Sequence, residues 1–219
     1  MKPIIIVNFK TYLEATGTRA ITLAQACANV SRESGLPVVA APQHTDLYRV
    51  AHITTAFAQH MDPIEPGSHT GWVLPTALKD AGASGTLINH SERRLTLADI
   101  GACVDITKRL EFASVVCTND VASTRVAAAL EPTYVAVEPP ELIGSGRAVS
   151  KADPDVVSGS VDAAKSVSPS VRVLCGAGIT SADDLMAAIE LGAEGVLLAS
   201  GIVKAADQEK ALRELVSRL

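Results

Sequence analysis

The chain has 219 residues, enough for one sizeable hydrophobic core and short for two ordinary domains, so residues 1–219 are expected to form a single α/β domain. It is 47% hydrophobic but only 3% aromatic, which leaves Ala, Val, Leu and Ile to fill the core and argues against disorder. With 19 basic against 24 acidic residues the formal charge is −5, which excludes a broad electropositive field for nucleic acid or anionic membrane and confines any anion site to a local one.

The opening stretch MKPIIIVNFK has an apolar run too short for a signal-peptide core and no cleavage-like pattern, so it reads as a first strand over 3–9. Short β-branched runs follow at 36–41, 54–59, 84–89, 113–118, 132–138, 171–175 and 194–199. Between them lie longer Ala- and charge-rich segments with helical spacing, as in Ile21, Ala24, Gln25 and Ala28, or Leu185, Ala188 and Ile189. Segment 44–51 is read as a further helix, and 158–170 as helical in its middle. The connections ESGLPVV, DAGASGTLI and ELGAEGVLL place Gly35, Gly82 and Gly192 where a helix should stop.

Alternating strands and helices predict parallel βα units, and eight of them can close as a single (βα)8 barrel. An open doubly wound sheet is the rival architecture, disfavoured because NFKTYLEATG follows the first strand without a GxGxxG turn. No apolar run approaches the roughly 18 residues that span a bilayer, so a cytoplasmic protein without a membrane partner is expected. Cys27, Cys103, Cys117 and Cys175 form no CxxC pair and read as reduced core thiols. The sequon matches at Asn29-Val30-Ser31 and Asn89-His90-Ser91 lack a secretory route and read as accidental.

Residues able to do chemistry gather at the strand C-termini. Glu138 ends an apolar strand and precedes two prolines, so no helix can absorb it and it should stand at the strand mouth as a candidate base. The following PPELIGSGRAVS starts rigid and ends pliable, as a hinged lid over an unstable intermediate would. His90 ends the fourth strand, and SERR after it is expected to open a helix whose N-terminal dipoles favour a neutral imidazole. Lys10, two residues beyond Asn8, needs an anionic partner in such a position, either Glu92 or a bound substrate. CGAGIT (175–180) and LLASGIV (197–203) put small residues directly after the seventh and eighth strands, where backbone N–H groups can hold a phosphate. His44, His52, His60 and His69 form no compact metal-ligand pattern, and no GxSxG elbow is present.

NFKTY (8–12), NHSERR (89–94), VEPPELIGSG (137–146), CGAGI and LLASGIVKA together resemble the triosephosphate isomerase family over essentially the whole chain, nearest its compact archaeal branch. The resemblance implies a TIM barrel that interconverts dihydroxyacetone phosphate and D-glyceraldehyde 3-phosphate, in glycolysis and gluconeogenesis. It implies Glu138 as the base, His90 as the electrophile and Lys10 as the cation offsetting substrate charge. Asn8 and Phe9 would help place the substrate, Glu92 would support Lys10, and Ile143, Gly144, Gly178, Ala199 and Ser200 would hold the phosphate. No metal or organic cofactor is implied, and the branch assembles as homotetramers or homodimers. Pro140-Glu141 and Cys175 stand where the commoner form of the family has aromatic residues. Two other functions fit the same residues: a catalytically silent phosphate-ligand-binding barrel, and a lyase that uses Lys10 as a Schiff-base nucleophile.

Overall fold

The computed structural model describes residues 2–139, 142 and 148–219. Its strands are β1 (Ile4–Asn8), β2 (Val38–Ala41), β3 (Phe57–Ala58), β4 (Gly85–Ile88), β5 (Ala113–Thr118), β6 (Tyr134–Val137), β7 (Arg172–Cys175) and β8 (Gly195–Leu198). The helices are α1 (Thr18–Ser34), α2 (His44–Ala51), α3 (Pro75–Asp80), α4 (Leu97–Leu110), α5 (Val121–Ala128), α6 (Val149–Ala152), α7 (Pro154–Val167), α8 (Ala182–Glu190), α9 (Ser200–Val203) and α10 (Gln208–Val216). The sheet runs β2-β1-β8-β7-β6-β5-β4-β3, with every described pairing parallel. A parallel bridge between Ala40 and Ala56 joins the two ends, so the eight strands form a nearly closed (βα)8 barrel.

Side-chain alternation along each strand sorts the apolar residues into two layers. Ile4, Ile6, Val39, Phe57, Leu87, Val115, Ala136, Leu174 and Leu197 fill the barrel. Ile5, Val7, Val38, Val135, Val173 and Val196 face outward and pack with the helices. Both faces of most strands are therefore largely apolar, with Thr86, Ser114 and Thr118 as buried polar exceptions, which explains the near-continuous hydrophobic runs. Among the described residues that fill the barrel, two are aromatic, Phe57 and Tyr134.

The helical spacing read in α1 is rotated in the structure: Ala20, Leu23, Ala24, Cys27 and Val30 form its buried face, while Gln25 is exposed. Gly35, Gly82 and Gly192 all have positive φ, between 67° and 93°, and end their helices as expected. The expected helix at SERR is absent. Residues 91–93 form a turn, and α4 starts only at Leu97, where the Thr96 hydroxyl caps the Asp99 N–H. All four cysteines are free and buried, and burial pushes the thiols of Cys27, Cys103 and Cys175 up to about 12.

At the N-terminal ends of the strands the barrel is sealed by polar contacts. The Arg172 guanidinium lies over the Tyr134 ring, donates to its hydroxyl at 2.7 Å and pairs with Glu194 at 3.0 Å. Beside this plug, Gly195 opens β8 with φ +151°, and a Cβ there would fall 2.2 Å from the Ile4 carbonyl oxygen. Neither backbone can yield without breaking the β1–β8 ladder. Gly195→Ala is expected to lower unfolding free energy by roughly 3 kcal/mol or more. Urea denaturation measures this; a loss below about 1 kcal/mol would contradict the packing described.

Candidate active site

A cavity opens at the C-terminal ends of the strands, lined by Asn8, Lys10, His90 and Glu138 together with the small-residue turns after β7 and β8. Glu138 reaches it by register. Tyr134 and Ala136 point into the barrel, so the next residue in alternation, Glu138, does too, and its N–H is tied to the Thr118 carbonyl at 2.7 Å. The residue is only 3% exposed, and its Oε2 has no hydrogen-bond partner among the described residues. A buried carboxylate oxygen without a donor is rare in folded proteins and points to a ligand or a reaction. Space for the side chain comes from Gly176, where a Cβ would sit 2.3 Å from Glu138 Cγ. The Cys117 thiol, at the end of β5, is pushed well above its usual range by burial and then by the Glu138 charge. It therefore stays protonated and adds no second negative charge beside the carboxylate.

His90 arrives by a different device. Leu87 faces the barrel and Ile88 the helices, so strict alternation would aim Asn89 inward and His90 outward. Asn89 instead takes a left-handed backbone with φ +61°, held by its own amide, which donates to Cys117 C=O at 3.0 Å and accepts from Leu95 N–H at 2.9 Å. This turn breaks the alternation and brings the imidazole to the cavity. The Glu92 N–H donates to His90 Nδ1 at 3.2 Å, which assigns the proton of a neutral ring to Nε2. That donor comes from the 91–93 turn and not from the helix expected there. Nε2 lies 3.6 Å from Glu138 Oε1, too far for a hydrogen bond, so the two groups face a common space.

Lys10 also has a left-handed backbone, φ +46°, unusual for a residue with a side chain. Its N–H donates to Asn8 Oδ1 at 2.9 Å, and Gln59 Nε2 donates to its carbonyl at 2.9 Å and to that of Ala41 at the same distance. The ammonium pairs with Glu92 Oε1 at 2.8 Å, the partner expected for it. Phe9, expected to touch substrate, is instead fully buried in the layer between strands and helices and does not line the cavity. Gln59 and Gly176 carry parts of the site that their residue types alone do not announce.

Gly178, Ala199 and Ser200 line the cavity. Their neighbours Ile179 and Gly201 line it too, and the N–H groups of Gly178, Ile179, Ser200 and Gly201 donate to no acceptor among the described residues. Ile143 and Gly144, and Pro140, Glu141 and Gly146 of the expected lid, lie outside the described residues. Cys175 faces the helix layer and not the substrate space. The other histidines serve locally: His60 is buried against Asp62 Oδ1 at 3.0 Å, and His44 Nε2 meets the His60 carbonyl at 2.9 Å. No cluster of three or more His, Cys, Asp or Glu able to hold a metal occurs among the described residues.

The triosephosphate isomerase family model matches residues 3–217. The chain belongs to this family. It is 57% identical over 219 residues to the triosephosphate isomerase of Methanothermobacter thermautotrophicus, covering 99% of this chain and 96% of that one. It is 56% identical over 216 residues to that of Methanosarcina mazei, covering 98% and 97% of the two chains. With that of Methanothermus fervidus it shares 54% identity over 220 residues, with coverage of 100% and 99%.

The tight fit of Glu138 against residue 176 makes the glycine there a sensitive point. Gly176→Ala is expected to displace the carboxylate by about an ångström and lower turnover at least roughly 100-fold. The far-ultraviolet circular dichroism spectrum should be unchanged; turnover within about threefold of the parent would contradict the assigned geometry.

Proposed function

We infer that the chain is an aldose–ketose isomerase that interconverts dihydroxyacetone phosphate and D-glyceraldehyde 3-phosphate in glycolysis and gluconeogenesis, and that Glu138, His90 and Lys10 carry the chemistry. Family membership over nearly the full chain supports the reaction. The division of roles rests on one observation above the rest: a buried Glu138 carboxylate, with one oxygen unpaired among the described residues, facing a cavity shared with His90 Nε2.

The reaction removes a proton from carbon 1 of the ketose and returns one to carbon 2, with a proton moving from the oxygen on carbon 1 to the oxygen on carbon 2. Electrons are redistributed within the substrate, so no external oxidant or reductant enters. The Glu138 carboxylate takes the carbon-bound proton and leaves an enediolate. His90, with Nε2–H directed at the carbonyl oxygen, stabilises the negative charge that develops there and passes protons between the oxygens. Lys10 supplies a fixed positive charge close to the same oxygens, with Asn8 setting its backbone. Free N–H groups at Gly178, Ile179, Ser200 and Gly201 receive the phosphate, with Ile143 and Gly144 proposed to join them. Phosphate binding far from the reacting carbons holds the substrate in register with the base.

Of the other readings, a Schiff-base lyase fits less well because the Lys10 ammonium is engaged by the Glu92 carboxylate at 2.8 Å and suits a fixed charge. A silent binding barrel leaves the unpaired Glu138 oxygen without a purpose. Glu138→Asp withdraws the carboxylate by one methylene and is expected to lower turnover by roughly 10²–10³ with phosphate-analogue affinity within about threefold. Steady-state kinetics with glyceraldehyde 3-phosphate decide this, and turnover within tenfold of the parent would overturn the assignment of the base.

A homodimer or homotetramer is the expected assembly. Leu13, Tyr48, Trp72 and Leu97 are all large, apolar and exposed, and each follows one of the first four strands, so they fall on one half of the barrel rim. No helix among the described residues is long and apolar enough to cross a membrane, and we place the enzyme in the cytoplasm. Sedimentation equilibrium should return two or four times the chain mass, and replacing Trp72 by Arg should shift it toward one; a single-chain mass for the parent protein would contradict the assembly.

A further inference from the structure

The turn after β7 is held from behind by a group that does not face the cavity. Asp184, the third residue of α8, is buried, and its Oδ2 accepts from Thr180 N–H at 3.1 Å, the Thr180 hydroxyl at 3.1 Å and Ser181 N–H at 3.0 Å. Its Oδ1 meets Lys151 Nζ at 2.6 Å, a contact that reaches from α6 across to α8. Two neighbouring bonds run parallel to it. The Ser150 hydroxyl donates to the Asp184 carbonyl at 3.1 Å, and Val149 N–H donates to Ala177 C=O at 3.1 Å.

A capping box alone explains one of these contacts, the reciprocal bond between Ser181 and Asp184. It does not explain why the carboxylate also takes both polar groups of Thr180, nor why a lysine from another element completes it. Both additions act on the same backbone. By consuming the N–H groups of Thr180 and Ser181, Asp184 fixes the orientation of the two preceding peptides, whose N–H groups at Gly178 and Ile179 remain free to face the cavity. The carboxylate would by itself repel an anion bound to that turn, and the Lys151 ammonium offsets its charge.

We propose that Asp184 and Lys151 are positioning residues that hold the 176–181 turn in the geometry required to bind the substrate phosphate and neutralise the charge behind it. The proposal rests on the isomerase reading above, in which this turn receives the phosphate. Burial pushes the Asp184 carboxyl up, but the bond from Lys151 and those from Thr180 and Ser181 outweigh it and bring it down to about 2, so the pair is charged at neutral pH.

Isothermal titration calorimetry with inorganic phosphate tests this on the parent protein and on Asp184→Asn, Lys151→Met and Lys151→Arg, alongside steady-state kinetics and thermal unfolding. Asp184→Asn and Lys151→Met are expected to weaken phosphate affinity and raise KM by about tenfold, with kcat changed less than about twofold. The deficit of Lys151→Met should deepen as ionic strength falls, and Lys151→Arg should restore affinity. Lys151 is half exposed, so its variants keep the fold and decide the matter even where Asp184→Asn does not fold. Parent-like phosphate affinity and KM in Lys151→Met, with or without a lower melting temperature, would overturn the positioning role. Failure of the parent protein to bind phosphate would overturn both the role and the phosphate assignment beneath it.

Discussion

A carboxylate oxygen kept from water and given no donor is costly, about 1–3 kcal/mol for a neutral acceptor and more for a charged one. Glu138 bears that cost, with Oε2 unpaired among the described residues, and most of the surrounding architecture can be understood as what makes it tolerable. The strand register aims the side chain inward, Gly176 leaves it room, and the Cys117 thiol beside it remains uncharged. Oε2 has no partner among the described residues, and in the proposed reaction it faces the carbon-bound proton of the substrate. A base already stripped of water needs little reorganisation when substrate arrives.

The positive charge that balances this arrangement is held by backbone strain. Lys10 and Asn89 both occupy the left-handed region, and each is braced by side-chain amides: Asn8 and Gln59 around Lys10, and Asn89 by its own. Strain of this kind persists only where surrounding bonds over-determine it, and here it turns two side chains toward one cavity. Glu92 serves both: its carboxylate pairs with Lys10, and its N–H fixes the His90 tautomer. The proposed phosphate end is built differently, from backbone N–H groups on short turns without acceptors among the described residues, with Asp184 and Lys151 behind one of them.

Much of this was legible in the sequence, for identifiable reasons. A strand buried on both faces reads as an apolar run, so seven of the eight strands show clearly, while β3, Phe57–Ala58, is so short that its ends could not be read from TTAFAQ. Glu138 stood out because two prolines prevent a helix from absorbing it, and the paired small-residue turns stood out by their order. Other features depend on geometry without a residue-type signature. The SERR segment looked like a helix start, yet the chain needs a turn there to deliver the Glu92 N–H to His90. Phe9 sits between Asn8 and Lys10 in sequence but points to the opposite face of the strand. Gly176 is required by the shape of Glu138, a side chain 38 residues earlier in sequence and on the adjacent strand's end.

In the proposed mechanism a carbon-bound proton of the substrate passes through the Glu138 carboxylate, which can exchange it with solvent before returning one to the adjacent carbon. Conversion of dihydroxyacetone phosphate in deuterium oxide, with product trapped and read by proton magnetic resonance, tests it most directly. The expected result is deuterium at carbon 2 of glyceraldehyde 3-phosphate with the parent protein, and neither product nor label above background with Glu138→Gln. Unlabelled product formed at the parent rate by Glu138→Gln would contradict it, because the hydrogen would then move between the carbons without the carboxylate.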